Sequence, residues 1–443
     1  MRILFINHSF PGLFASLASA LAADPGHEIF FASSYGRQER PIPGVRKIRL
    51  GTNETRARTA SGELESMVMA GRQALRSFEQ LTKNGLAPDM VISSSSGGYS
   101  LFWETAFPNA FRVSWTESVP VFPDRDMALE PVFTRHLVQC RQALSAHLAV
   151  SLTAGQPGIL GNSLETGVEL PYAVDTERFA GVQGSPLIMD EQDVASFPEL
   201  VLLAVSKRQT GDPYLARLLT ALLAKRPLCH VVLFCDTMTT RALMKEYCAR
   251  LPESIAKGLH ISGMLSLNKY KSLMGKARAL VYPPGCIPQA TALLDAMSCG
   301  AALVLAGEGH IPCILKNDSN ALVLDDFQEA EDFAGHLSSL LDQEEKLRAI
   351  GSKARQTVCI HFDQKKVLPL QVAFLLEMYQ IRKEKGDAAL REALRTRKNP
   401  TTGPIRTHDS CPLSTERNGV GKNVFPVGVP FADLPTHKST DIP

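Results

Sequence analysis

Residues 279–300, ALVYPPGCIPQATALLDAMSCG, constrain the fold of this chain more than any other stretch. Ala279, Leu280, Val281 and Tyr282 form an apolar run of the kind buried on both faces of a parallel sheet, and it stops at Pro283, Pro284 and Gly285. Beyond the loop, Ala292, Leu293, Ala296 and Met297 share one helical face, and Gly300 suits the position just past a helix end. Strand, irregular loop and helix in that order make a step of an open α/β sheet, where ligands bind outside the carboxyl ends of strands. The loop's backbone N–H groups and the positive end of the helix suit a phosphate. Asp295, one turn into the helix, is within reach of a ribose or sugar hydroxyl. The same residues also make an ordinary core αβ unit with one polar side chain, so the stretch fixes a fold class before it fixes a function.

With 443 residues, the chain has room for two or three domains with full cores. Lys plus Arg number 47 against 45 for Asp plus Glu, leaving +2, so no global field points to nucleic acid or an anionic membrane. The N-terminal MRILFIN runs straight into a strand without the apolar stretch of a signal peptide, and no later segment reaches the roughly 18 apolar residues of a membrane span. Nine cysteines are scattered without a CxxC pair, which suits reduced thiols and argues against a disulfide framework or a zinc site. The expectation is a cytoplasmic protein with no transmembrane segment and no nucleic-acid partner.

Alternation continues along the chain. A strand over 2–7, the turn His8-Ser9-Phe10-Pro11-Gly12, a helix over 13–23 and a strand over 28–32 make a βαβ opening. Gly12 allows close backbone approach to a ligand, but the turn is not GxGxxG. Strands follow over 90–93, 111–114 and 149–151. The small residues Ser94 to Gly98 end the first of these and either form a surface loop or line a cleft. Glu117 directly follows the second, as a cleft carboxylate or a solvated one. Periodicity fails over 181–197, which places a domain boundary near residue 180. A second alternating series then supplies strands over 200–205, 230–235, 259–262, 279–282, 302–306 and 321–324. Helices over 330–341 and 344–362 follow, then a long one over 365–395 whose Val367, Leu368, Leu370, Val372, Leu375 and Met378 need a partner surface. From 399 to 443 prolines and glycines recur without periodicity, the composition of a disordered tail. Limited proteolysis is expected to leave a stable core ending near Arg397. The division read from the sequence is 1–180, 181–364, a helix over 365–398 packing back on the first domain, and the tail.

Four collinear stretches carry a family resemblance. Phe10-Pro11-Gly12-Leu13-Phe14, with Gly26-His27-Glu28 beyond the helix, resembles the opening of a bacterial branch with an FPGxF turn. Residues 170–179, LPYAVDTERF, resemble an interdomain segment usually written GVDtxxF. Residues 293–300, LLDAMSCG, resemble LLEAMAcG, and 317–324, NDSNALVL, resemble DGxNGLLV. The family is the GT-B glycosyltransferases of family 4, and the likeness covers about residues 1–365. It implies an α/β protein of two doubly wound, Rossmann-like domains that moves a sugar from a nucleotide-diphosphate donor to an acceptor with retained anomeric configuration. No cofactor or metal is implied, the nucleotide sugar being a substrate. The acceptor, a carbohydrate, a lipid or a protein, is left open.

The resemblance also assigns residues. His8 and Glu117 face the acceptor, and Gly12 sits in the turn toward the donor pyrophosphate. Lys207 and Arg208 meet the diphosphate, Gln289, Ala290 and Thr291 offer backbone amides, and Asp295 holds donor hydroxyls. Asp124-Arg125-Asp126 is a DxD away from that donor site, read as a solvated loop. Several positions depart from the family pattern. Ser94 or a neighbour replaces a cleft histidine, Ile287 and Asp295 replace two glutamates, and Cys313 replaces a loop glutamate. Ala173 and Ala321 replace glycines, and Asn7 replaces a frequent histidine. Two other functions therefore stand beside active transfer. One is a weakened GT-B scaffold partnering an active enzyme; the other is a GT-B sugar-nucleotide epimerase.

Overall fold

The computed structural model of the protein describes residues 1–35, 41–51, 60–95, 97–116, 129–153, 166–181, 187–189, 192–205, 209, 211–235, 238–262, 265–284, 286, 290–306, 314–324, 327 and 329–398. Contacts divide it into two compact units: residues 1–172 together with those from 365 onward, and residues 173–364.

In the first unit β1 (Arg2–Ser9), β2 (Glu28–Tyr35), β3 (Val45–Arg49), β4 (Met90–Ser94), β5 (Phe111–Thr116), β6 (Leu148–Thr153) and β7 (Gly167–Pro171) form one parallel sheet. Its order is β3-β2-β1-β4-β5-β6-β7, so the winding reverses between β1 and β4. At that reversal the chain leaves neighbouring strand ends in opposite directions and opens a crevice at their carboxyl ends. The unbroken apolar run of β1 reflects burial on both faces. Ile3 and Phe5 point into one core with Phe14, Leu17 and Leu21, while Leu4 and Ile6 point into the other with Ala74, Phe78 and Trp103. A short 3-10 turn, Gly12–Phe14, leads into α1 (Ala15–Ala22), which covers the first face. The opposite face is covered by α2 (Ala60–Lys83) and α3 (Trp103–Ala106), with α4 (Leu129–Leu144) packed on α2. Each fully buried aliphatic or aromatic side chain contributes about 1.5–3 kcal/mol.

The second unit begins with a small antiparallel pair, β8 (Ile188–Met189) and β9 (Gln192–Asp193). Its main sheet holds β10 (Glu199–Val205), β11 (Cys229–Cys235), β12 (Leu259–Ser262), β13 (Ala279–Tyr282), β14 (Leu303–Ala306) and β15 (Leu322–Leu324). All are parallel, in the order β12-β11-β10-β13-β14-β15. The reversal here lies between β10 and β13. The strands alternate with α5 (Pro213–Lys225), α6 (Met238–Cys248), α7 (Glu253–Ala256), α8 (Leu267–Lys276), α9 (Ala290–Ser298), α10 (Ala330–Leu341) and α11 (Glu344–His361). Asp212 starts α5 by accepting the Tyr214 N–H at 2.9 Å, with Pro213 in the first turn where its missing donor does no harm.

At the amino end of β10 the buried Glu199 binds two arginines. Its carboxylate accepts from Arg226 at 2.7 and 2.9 Å and from Arg278 at 3.3 Å. Arg226 reaches on to Asp342 at 2.7 Å, so one network joins β10, the start of β13 and the end of α10.

The last helix, α12 (Gln364–Lys398), returns to the first unit. Phe374, Leu375, Met378, Leu390 and Leu394 enter the same core as Ile3, Phe5 and Leu21. It is interrupted at Gly386, whose φ of 82° and ψ of −179° suit glycine alone. Among the described residues no helix is long and apolar enough to cross a membrane.

Some sequence expectations shift. The sequence expectation sets a boundary near residue 180, and by contacts the first unit runs to Tyr172. Residues 174–176 are bound to the end of α11: the Val174 N–H donates to Phe362 O at 2.7 Å, Gln364 N–H to Val174 O at 2.8 Å and Thr176 Oγ1 to Asp363 at 2.8 Å. β3, β7 and α2 were not legible from the pattern. β3 is an edge strand in which Arg46, Lys47 and Arg49 are charged, and α2 starts at the end of a polar stretch. The helix expected over 13–23 begins as the 3-10 turn, because Gly12 has a φ of +46°. The tail over 399–443 lies outside the described residues.

Candidate active site

Within the first unit, the β1/β4 reversal carries a compact polar cluster. Asn7 is buried at the end of β1; its Nδ2 donates to Ser9 O at 3.0 Å and its Oδ1 accepts from Ser94 Oγ at 2.7 Å. Gly12 closes over that amide: a Cβ at Gly12 would lie 2.2 Å from Asn7 Nδ2. Gly12→Ala is therefore expected to lower stability by about 1–3 kcal/mol, since the left-handed backbone and the contact both oppose a side chain. Thermal unfolding checks it, and adding Asn7→Ala should return part of the loss.

His8 is exposed beside this turn. Its Nδ1 lies 3.0 Å from the Tyr99 hydroxyl and 3.1 Å from Ser34 Oγ, and the two rings stack at 5.9 Å. Ser34 comes from β2, in parallel register beside β1. Tyr99 is delivered by Gly97 and Gly98, both left-handed, and a Cβ on Gly98 would strike the Met67 carbonyl at 2.4 Å. The small-residue run after β4 thus lets α2 approach closely and aims Tyr99 at His8. Ser94, which with its neighbours stands where the family pattern has a cleft histidine, is buried with its hydroxyl given to Asn7. Sequence reasoning missed Tyr99 and Ser34; the Ser/Gly run ending in an aromatic at a strand end was the available signal.

Within the second unit, β13 runs into Pro283 and Pro284, and α9 begins at Ala290. Thr291 is half-buried in its first turn. On the next turn Asp295 holds a carboxylate oxygen, Oδ1, that is buried without a hydrogen-bond partner. Burial raises its pKa to about 7, weakly opposed by the Arg178 charge. Tyr270 titrates well above its ordinary value and the Cys299 thiol is pushed up to about 12, in both cases by burial first and then by the Asp295 charge. Phe179 and Phe234 pack on the Tyr270 ring at 6.2 and 5.9 Å. A buried carboxylate lacking a donor is costly alone and suits a ligand hydroxyl or N–H that completes it.

The structure thus groups His8 with Gly12 on one unit, and Ala290, Thr291 and Asp295 on one helix of the other. Glu117, Lys207, Arg208 and Gln289 lie outside the described residues, as do Ile287, Cys313 and residues 124–126.

The family model "Glycosyl transferase family 4 group" matches residues 25–150, and "Glycosyl transferases group 1" matches residues 246–357. A search of curated protein sequences finds no match. Among solved structures, HepE of Anabaena in complex with UDP and glucose is similar with a TM-score of 0.62 at 14% identity, over 85% of this chain and 99% of its own. Sucrose-phosphate synthase from Thermosynechococcus elongatus gives 0.63 at 16%, over 86% and 99%. WaaG, a glycosyltransferase involved in lipopolysaccharide biosynthesis, gives 0.58 at 16%, over 84% and 99%. Likeness at such identities carries the fold, two Rossmann-like domains of the GT-B type. With one glycosyltransferase model on each half, the chain is a GT-B glycosyltransferase. It belongs to the family 4 type.

Proposed function

We propose that the protein transfers a sugar from a nucleotide-diphosphate donor to a carbohydrate, lipid or protein acceptor, with retention of configuration and without a bound metal. The observation that carries this is the buried, unpartnered Oδ1 of Asp295, one turn into the helix that follows β13, at the reversal of the second sheet. A donor's hydroxyls supply the missing hydrogen bond. Its diphosphate is met by the amino end of α9, including the amides of Gln289, Ala290 and Thr291, and by Lys207 or Arg208 just after β10. These groups stabilise the charge that develops on the leaving diphosphate. His8 and Glu117 serve the acceptor. The FPGxF turn, with Gly12 at its centre, supports assignment to the bacterial branch that opens this way.

The crystal complexes of HepE with UDP and UDP-glucose make UDP-glucose the first donor to try. Calorimetry with that donor tests the site. The Lys207→Ala/Arg208→Ala pair is expected to weaken binding on the order of 100-fold or more, because each charge-assisted contact contributes about 1.5–3 kcal/mol. Asp295→Ala should weaken it less. Unchanged affinity in the double variant would rule out this donor site. A second reading, a GT-B scaffold with weakened chemistry, is favoured by one observation: at the place where the resemblance puts a cleft histidine on Ser94 or a neighbour, the Ser94 hydroxyl is committed to Asn7. Donor binding without release of UDP in the presence of candidate acceptors would favour it.

A further inference from the structure

Most surface helices turn their apolar stripe to the core, but α4 turns its larger apolar side chains outward. Thr134, Val138 and Gln142, four residues apart, form its buried face, and two of the three are polar. Gln142 Nε2 is satisfied there by the Ser100 hydroxyl at 2.7 Å. Phe133, Leu137, Cys140 and Leu144, spaced four, three and four residues apart, form the other face. On it Phe133 is 51% exposed, Leu137 43% and Leu144 67%, while Cys140 is half-buried. The remaining large apolar side chains that stand this far out among the described residues, Met69, Ile188, Leu228 and Ile360, lie on four separate segments. A lone exposed apolar side chain is ordinary, whereas three on one face of one helix make a surface suited to burial against a partner.

We propose that the outward face of α4 is the contact between two copies of this chain, α4 of one laid on α4 of the other. Charge selects that occupant. The stripe holds no charged residue, and both arginines of α4 are neutralised within their own chain. Arg135 Nε donates to Glu63 of α2 at 2.8 Å, and Arg141 Nη2 donates to Glu104 of α3 at 2.5 Å. An anionic lipid surface would call for those cations to be free. A charged partner would call for an excess of the opposite sign, whereas a patch that meets its own copy must carry no excess, since any excess would face itself. The spacing fits a two-fold arrangement as well. With the axis between Leu137 and Cys140 and the helices antiparallel, Phe133 falls opposite the partner's Leu144 and Leu137 opposite the partner's Cys140. At 16 residues α4 is about 24 Å long. One such helix gives less than the roughly 20–30 residues a side of a standard interface, so the dimer is reversible, with a dissociation constant on the order of 10 μM.

Sedimentation velocity on the full chain, from about 1 to about 100 μM, tests this. The parent is expected to pass from monomer to dimer across that range. Leu137→Glu/Leu144→Glu sets like charges on the stripe and should weaken the dimer by about 100-fold or more, leaving a monomer throughout. Its melting temperature should match that of the monomeric parent, because both positions are exposed. Ile360→Glu, at an exposed apolar position on α11 of the second unit, should dimerise like the parent. A parent that stays monomeric at the highest concentration would overturn the proposal, and that measurement alone suffices if the double variant does not fold. So would a dimer that persists in the double variant, or one lost equally in Ile360→Glu. Flotation of a monomeric parent with phosphatidylcholine–phosphatidylglycerol vesicles, abolished by Leu137→Glu/Leu144→Glu, would give the stripe to a lipid surface and overturn the second copy.

Discussion

Replacing Asp295 by asparagine is expected to make the protein more stable at pH 8, by up to about 4 kcal/mol, and to change little near pH 4. The reason is the buried carboxylate. Its pKa rises from an ordinary 3.8 to about 7 because burial opposes its charge and Oδ1 finds no donor. Between those values the folded protein binds a proton that the unfolded chain has released, so unfolding releases protons and stability falls as pH rises. The fall starts near pH 4, where the unfolded carboxyl ionises, and ends near pH 7, where the folded one does. At about 1.36 kcal/mol per pH unit that interval amounts to about 4 kcal/mol. Asparagine fills the same space without titrating and removes the slope. Urea unfolding of parent and Asp295→Asn at intervals from pH 4 to pH 8 reads the difference directly. Parallel curves would mean that the carboxylate is solvated or paired, and the argument that it awaits a ligand hydroxyl would fall with them. Asp295→Asn should also bind UDP-glucose more weakly at pH 8, so the stabilising change and the loss of binding come from one substitution, as expected where a site is left incomplete for its ligand.

Glu199→Ala is expected to destabilise the second unit by about 3–5 kcal/mol. Glu199 is buried at the start of β10 and is the common acceptor for Arg226 and Arg278. Its hydrogen bond is the first reason the Arg226 guanidinium titrates above its ordinary range. Removing the carboxylate leaves two arginines at the amino end of the central strand, with Asp342 and Glu344, both more exposed, as the remaining partners. A loss of that size in a unit of this length lowers the melting temperature by roughly 10 °C. Glu199→Gln keeps the shape and one acceptor and should lose less. A melting temperature within about 2 °C of the parent for Glu199→Ala would show that the network contributes nothing net, as many ion pairs do.

What could be read along the chain was whatever a local pattern dictates. The apolar runs at the starts of β1, β10 and β13 have no polar face, which demands parallel strands covered on both sides, and their alternation with helical spacing leads to two doubly wound sheets. Asp295 was legible as a candidate because a lone acid stands one turn into an otherwise apolar helix that follows a strand and a proline-rich loop. β3 and β7 were not, since edge strands pair on one side only and need only part of an apolar pattern. The limit of the contact units at Tyr172 has a different origin: Val174 and Thr176 are claimed by hydrogen bonds to residues almost two hundred positions later, and no local signal encodes such a partner.

The sequence by itself determined the class of fold, the order of its strands' burial and the family pattern, because these follow from periodicity and from motifs a few residues long. Only the tertiary structure decided what the polar residues do. Ser94 became a buried brace for Asn7, Gly12 became obligatory because Asn7 lies beneath it, and Tyr99 met Ser34 and His8 from three separate strand ends. Hydrogen bonds act over about 3 Å and depend on direction, so the identity of a donor's partner is fixed only when distant segments are packed side by side.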